Sequence, residues 1–393
     1  MKIDFSSGAS MVLSVVLSTL LSVASGATYA GARKKYLVYI GTYTDHGSKG
    51  IYVGEFDPTN GHLTSPELAA ESSAPSFLAV NPIHRFLYAV NETDQFHGQP
   101  TGAVSSFSID PTTSKLMLLN QISSHGRGPA FITLDQTGRY SLVANYDGGS
   151  VAVFPILPDG EIGEATAFIL HKGSSVNPER QGAAHAHAIA MSPDNRFVLV
   201  ADLGLDQVLI YPFDVSRGML GDARIFYSHP GDGPRHLIFS ANSEFVYVIN
   251  ELSSTVTVYS YDPLGGTISS VQNISTLPRG FKGTNTAAEV ALHPSGKFLY
   301  ASNRGDNNSV AEFAVDPQKG TLTFVETVLT QGKTPRNFAI DPSGKWMLVA
   351  NQDSSTVIEF RINQRSGRIA ATGQSMQVNS PAMVDFVSPS GGK

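Results

Sequence analysis

RFLYAVN (Arg85–Asn91), RYSLVAN (Arg139–Asn145), RFVLVAD (Arg196–Asp202), EFVYVIN (Glu244–Asn250), KFLYASN (Lys297–Asn303) and KWMLVAN (Lys345–Asn351) are six copies of one pattern. A basic or polar residue and an aromatic lead into four mostly apolar residues, then Asn or Asp. A seventh, degenerate copy is KYLVYIG (Lys35–Gly41). Measured between the aromatics Tyr36, Phe86, Tyr140, Phe197, Phe245, Phe298 and Trp346, the spacings are 50, 54, 57, 48, 53 and 48 residues. Recurrence at this interval marks a repeat architecture and supplies a register. Whatever recurs is scaffold, and whatever departs from it is a candidate for function.

Each unit holds four short runs of β character. In one unit these are Phe131–Leu134, Tyr140–Ala144, Ser150–Ile156 and Ala167–Leu170. Turn-forming residues separate the first two runs, as in Asp135-Gln-Thr-Gly138 and Asp341-Pro-Ser-Gly344. A second turn follows the third run, as in Asp57-Pro-Thr-Asn-Gly61 and Asp316-Pro-Gln-Lys-Gly320. Four strands in about fifty residues predict a β-propeller blade. First strands begin near Pro75, Pro129, His185, Pro234, Ala287 and Pro335, and a seventh, Ser380–Phe386, ends the chain without a second strand after it. Tyr36–Ile40 and the segments after it supply what is missing. The expected fold is all-β, a seven-bladed β-propeller with one blade closed by N-terminal and C-terminal strands, which removes an open sheet edge.

The chain has 393 residues, 41% of them hydrophobic and 15% charged, as suits a folded core. A net charge of −6 gives no basic stripe for nucleic acid. Without cysteine there is no disulfide, thiolate nucleophile or Cys-bound metal. Met11–Val23 is an apolar run too short to span a bilayer comfortably, and small residues follow at Ala24–Ala27 and up to Ala30. Residues 1–30 are therefore expected to be a signal peptide and 34–388 a single propeller domain. The mature protein is then expected to be periplasmic or secreted, monomeric and free of the membrane; without the signal it would be cytoplasmic.

In a propeller the first strand of each blade lines the central channel. The loop entering that strand and the loop leaving the second strand open on the same face. Ten residues before each aromatic stand Ser76, Ala130, His187, Arg235, Ala288 and Arg336, and nine before stand Phe77, Phe131, Ala188, His236, Glu289 and Asn337. Six after stand Thr42, Glu92, Tyr146, Leu203, Glu251, Arg304 and Gln352. The Asn or Asp five after recurs in every clear unit and reads as a strand-end tie of the fold, bonding its own backbone. The charged exceptions read differently: Arg235, Arg304 and Arg336 with His187, His236, Glu251 and Glu289 are expected to converge on one face. Salt bridging is their bland use. Three arginines against two glutamates also suit an anionic ligand. His185 and His187, two apart on a strand, could share a metal ion, but no third ligand is evident and the arginines oppose a cation. No metal and no cofactor is expected, and there is no P-loop, dinucleotide fingerprint or Gly-x-Ser-x-Gly elbow.

Tyr39-Ile-Gly-Thr-Tyr-Thr44, His185-Ala-His-Ala188, Gly233-Pro-Arg-His236, Asn250-Glu251, Ala288-Glu289, Ser302-Asn-Arg-Gly305 and Thr334-Pro-Arg-Asn337 form an ordered set. With it the chain resembles, from about residue 36 to 387, the seven-bladed propeller lactonase family. That family contains a bacterial 6-phosphogluconolactonase and the fungal carboxymuconate-lactonizing enzymes. The resemblance implies a site of one His, two Arg and one Glu, falling on His187, Arg235, Glu251 and Arg304. It implies ring opening of an anionic, sugar-type lactone, with His187 or Glu251 as general acid and base and Arg235 and Arg304 on the oxyanion. His185, His236, Glu289, Arg336 and Asn337 are the expected substrate-binding and pocket-shaping residues. The phosphogluconolactone pathway is cytosolic whereas this N-terminus reads as an export signal, so phosphorylated and unphosphorylated lactones both stay open. A muconate-type lactonizing enzyme and a non-catalytic exported propeller are the competing readings.

Overall fold

The computed structural model describes residues 35–81 and 85–388. The expected signal peptide lies outside the described residues. Every regular element among the described residues is a strand, and the strands form seven antiparallel sheets. Blade 1 runs through Leu78–Val80, Phe86–Asn91, Ala103–Ile109 and Leu116–Ser123. Blade 2 is Pro129–Leu134, Tyr140–Asn145, Ser150–Pro155 and Ala167–Leu170, and blades 3 to 6 repeat this order from Ala186, Pro234, Asn285 and Pro335. Blade 7 takes its first strand, Pro381–Val387, from the end of the chain and the rest from its beginning. Tyr39 pairs with Asp385 and Ile40 with Val384, so the ring closes as the sequence predicts.

The recurring residues each have a physical task. The turn between the first two strands is pinned by its leading side chain. Asp135 Oδ1 accepts from the backbone of Arg139 (2.7 Å) and Tyr140 (2.8 Å), and Asp341 Oδ1 does the same for Lys345 and Trp346 (both 2.8 Å). The pattern aromatic then packs against the glycine that ends a neighbouring blade's outer turn. Gly61 has φ +81°, and a Cβ placed on it would lie 2.6 Å from Trp346, so only glycine fits. Phe86 meets Gly160 and Phe197 meets Gly266 in the same way. Aromatic and turn glycine are two halves of one contact between blades.

At the end of the second strand, Asp202 accepts from the local backbone of Leu205 (3.2 Å) as expected, and Asn250 binds Thr255 and Thr257 of its own blade. In other blades the Asn at this position ties the linker rather than its own backbone. Asn145 Nδ2 donates to Ser124 O (3.1 Å), Asn303 Nδ2 to Thr276 O (3.0 Å) and Asn351 Nδ2 to Thr330 O (3.2 Å). Each acceptor follows directly on the outer strand of the preceding blade. Asp202 has no amide to donate, and there His171 takes over, its Nδ1 2.7 Å from Asp202 Oδ2. Seven buried apolar clusters fill the spaces between adjacent blades, one for each interface, such as Tyr140, Leu142 and Val151 of blade 2 with Ile189, Val198 and Tyr211 of blade 3. The core is therefore a ring, and the inner strands are held at fixed positions around it.

Candidate active site

The inner strands of blades 2 to 7 carry one further regularity, a β-bulge at the same place. Ala186 pairs with Asp202 and Ala188 with Ala201, which leaves His187 without an opposite number. Pro234 and His236 bracket Arg235 in the same way, and Pro335 and Asn337 bracket Arg336. Ala130 and Ala382 take the position in blades 2 and 7, and Ala288 with Glu289 in blade 5. A bulge breaks the two-residue alternation and re-aims a side chain. It also separates His185 from His187. The Nδ1 of His185 lies 3.0 Å from Tyr146 O and its ring stacks on Tyr146, whereas the His187 ring lines the pocket. Among the described residues no group of three His, Asp or Glu is placed to hold a metal ion.

His187, Glu251, Arg304 and Arg336 line a pocket of about 570 Å³. Arg235, His236 and Asn337 lie beneath it around a narrow chamber that His187 and Arg336 also border. Glu289 stands behind His236. The sequence-predicted residues thus fall in two tiers, with Arg235, 1% exposed, in the lower one. His185 stands outside both, bracing Tyr146.

Glu251 binds the two tiers together. Its Oε2 accepts from Arg235 Nε (3.0 Å) and pairs with an Arg304 terminal nitrogen (3.0 Å), while Oε1 accepts from Arg180 (2.6 Å). Burial pushes the Glu251 carboxyl up, but Arg304, Arg235 and Arg180 outweigh it and hold the group at about 2. It is a fixed anion with both oxygens engaged. Arg235 also donates to Ala288 O (2.7 Å) and meets His236 Nε2 (3.1 Å). Burial, then Arg304 and Arg336, lower Arg235 to about 9, so it remains charged at neutral pH.

In the lower tier His236 Nδ1 lies 3.1 Å from Glu289 Oε1. Asn337 Nδ2 donates to Glu289 Oε2, and Asn337 Oδ1 accepts from Val384 N (3.0 Å). Phe131 and Phe77 meet the His236 ring edge-on, at 5.0 and 5.8 Å between centroids. Burial pushes His236 down to about 4 despite Glu289. His187 is lowered well below the ordinary range by burial and then by Arg235, His236, Arg336 and Arg304. Its Nδ1 is buried with no hydrogen-bond partner. The ring is therefore neutral at physiological pH and able to accept a proton.

Of the charged and phenolic residues of the pocket, four were not among the predicted set: Tyr43, Glu92, Tyr146 and Arg180. Glu92 accepts from Tyr43 Oη (2.7 Å) and from Ser76 Oγ, and it faces Arg336 at 3.8 Å. The Arg336 guanidinium lies 5.0 Å over the Tyr43 ring. Glu92 and Tyr146 occupy the same register column as Glu251 and Arg304, so the column itself was their signal. Arg180 sits in a linker outside the register, where only the unusual length of its interval marks it.

A family model described as Lactonase, 7-bladed beta-propeller, matches residues 37–386. A 6-phosphogluconolactonase of Bacillus subtilis is 33% identical over 353 residues, covering 90% of this chain and 99% of the relative. A 6-phosphogluconolactonase of Formosa agariphila is 32% identical over 355 residues, 89% of this chain and 99% of the relative. Among solved structures, a periplasmic gluconolactonase of Pseudomonas aeruginosa superposes with a TM-score of 0.86 at 37% identity, over 90% of this chain and 99% of that one.

Proposed function

The chain belongs to the seven-bladed β-propeller lactonase family, and on that premise we propose that it hydrolyses a sugar-type lactone of the 6-phosphogluconolactonase kind to the open hydroxy acid. The observation that carries the reading is the convergence of neutral His187 with Arg304 and Arg336 on one pocket whose carboxylates, Glu251 and Glu92, are themselves engaged.

His187 is the general base. Glu251 is unsuited to that role, because three arginines hold its charge and occupy both oxygens. Water adds to the lactone carbonyl carbon as His187 takes its proton. The carbonyl π electrons move to oxygen, and Arg304 with Arg235 below it stabilises the resulting oxyanion. Collapse of that intermediate breaks the bond to the ring oxygen, and protonated His187 returns the proton to the departing alkoxide. An anionic substrate offsets the positive field of the arginines, and this raises the proton affinity of His187 when the base is needed. Glu289, Asn337 and His236 hold Arg235 and His187 in place from beneath.

Export is part of the same proposal. The apolar run Met11–Val23 with its following small residues supports it, and the Pseudomonas aeruginosa relative is described as periplasmic.

The test is ring opening of glucono-δ-lactone and its 6-phosphorylated form, followed by proton release and corrected for spontaneous hydrolysis. His187→Ala is expected to lower kcat by about 10²–10⁴, and Arg304→Ala by about 10²–10³. Undiminished activity of His187→Ala, or no acceleration by the intact protein, sinks the assignment.

A further inference from the structure

The longest interval of the repeat, 57 residues from Tyr140 to Phe197, contains the linker between Ala167–Leu170 of blade 2 and Ala186–Met191 of blade 3. This linker has a built turn. Gln181 is fully buried, donates from Nε2 to Leu203 O (2.9 Å), and accepts at Oε1 from Asn177 N (3.1 Å). Its backbone N donates to Asn177 O (2.7 Å), and Asn177 Oδ1 accepts from the backbone of Glu179 and Arg180 (both 3.1 Å). What this turn delivers to the pocket is Arg180.

Arg180 differs from the other arginines of the site. Its side chain is 38% exposed, against 2%, 12% and 19% for Arg235, Arg304 and Arg336. Its hydrogen bonds to Tyr146 Oη (3.2 Å) and Glu251 Oε1 (2.6 Å) both leave from one terminal nitrogen. The other donors of the fork remain for a ligand on the solvent side of the pocket. A planar guanidinium presented edgewise suits a group with two or more anionic oxygens. Arg304 also spends one terminal nitrogen on Glu251 (3.0 Å) and Ala287 O (3.1 Å), but its remaining Nε is buried deeper in the site without a partner, where the oxyanion forms, and Arg336 faces Glu92.

Resting on the lactonase reading above, we propose that Arg180 is the specificity-determining residue of this site. It receives the anionic group, phosphoryl or carboxylate, of an aldonolactone whose ring lies against His187. The anchor Gln181 fixes the reach of Arg180, and Tyr146 fixes its direction.

The test is a ratio rather than a rate. Values of kcat/KM are measured for 6-phosphoglucono-δ-lactone, for glucaro-1,4-lactone as the carboxylate-bearing arm, and for neutral glucono-δ-lactone. The intact protein is expected to favour at least one anionic lactone. Arg180→Gln is expected to cut the ratio of anionic to neutral by about tenfold or more, and Arg180→Lys to restore part of it, since the charge stays and the fork is lost. Which of the two anionic arms collapses identifies the group recognised. An unchanged ratio overturns the proposal even where absolute rates fall, because loss of a Glu251 partner lowers both substrates alike. Should the intact protein open no lactone, the lactonase reading fails and Arg180 is judged by calorimetric titration. Weaker binding of 6-phosphogluconate or glucarate to Arg180→Gln, with gluconate unaffected, then supports the anion site; equal binding of all three overturns it.

Discussion

Glu251 and His187 show how one set of arginines acts on two neighbours in opposite senses. The same positive field that keeps the Glu251 carboxylate ionised keeps the His187 ring unprotonated. A base lowered well below its ordinary value stays available as pH falls, so the acid limb of kcat/KM is expected well below pH 6.5. Arg336 is one of the groups that lower His187. Arg336→Gln should therefore raise the affinity of His187 for its proton and move the acid limb to higher pH. A pH–rate profile of the two proteins checks this, and an unmoved limb in the variant rules out His187 as the group titrating there. At this scale the sequence was legible where a residue type broke the register: His187, Arg235 and Arg336 stood out against Ser76, Ala130 and Ala288, and Glu251 and Arg304 against Thr42 and Leu203. It was not legible which carboxylate is spent on holding arginines. That depends on contacts between Glu251 and Arg180, 71 positions apart.

The elements of this fold are joined by side chains that the repeat made visible before their partners were known. The Asn of the second strand was readable as a structural demand, but its acceptor lies on another blade's linker, and nothing local in the sequence says so. The tie is worth the cost of an orphaned carbonyl. Asn145→Ala, which removes the donor to Ser124 O and to Ser150 Oγ (3.1 Å each), is expected to destabilise the protein by about 1–3 kcal/mol. Urea denaturation followed by fluorescence measures it, and a midpoint equal to that of the parent protein refutes the role. The bulges were less legible still. Counting ten residues back from an aromatic finds His187 and Arg235, yet the extra residue exists only relative to a partner strand. Sequence spacing alone gives no sign of it.

At the scale of the whole molecule, the interfaces between blades are equivalent in kind, each an apolar cluster shared by two neighbours. The interface that closes the ring differs only in how far apart its parts lie in the chain. Leu37 to Thr42 pair with Pro381 to Val387, and without that strand Val38, Ile40 and Phe56 lose the cover of Val384 and Phe386. A chain truncated after Asn379 is expected to lose its cooperative thermal transition and to bind dyes that report exposed apolar surface. Retention of a sharp transition would show that six blades and a fragment suffice. The closure was readable from sequence, because the first strand Ser380–Phe386 at one end of the repeat and the later strands that begin at Tyr36 at its other end make up one blade between them.

That closure also sets a timetable. During synthesis the strand Tyr36–Thr42 is among the first parts of the domain to appear, and its partner Pro381–Val387 is among the last. At ordinary elongation rates the two are separated by about 20–70 s. Through that interval the early strand has one open edge, and the nascent chain cannot complete its ring however stable the finished one is. The propeller is thus held short of its closed ring until nearly all of its own residues have been made.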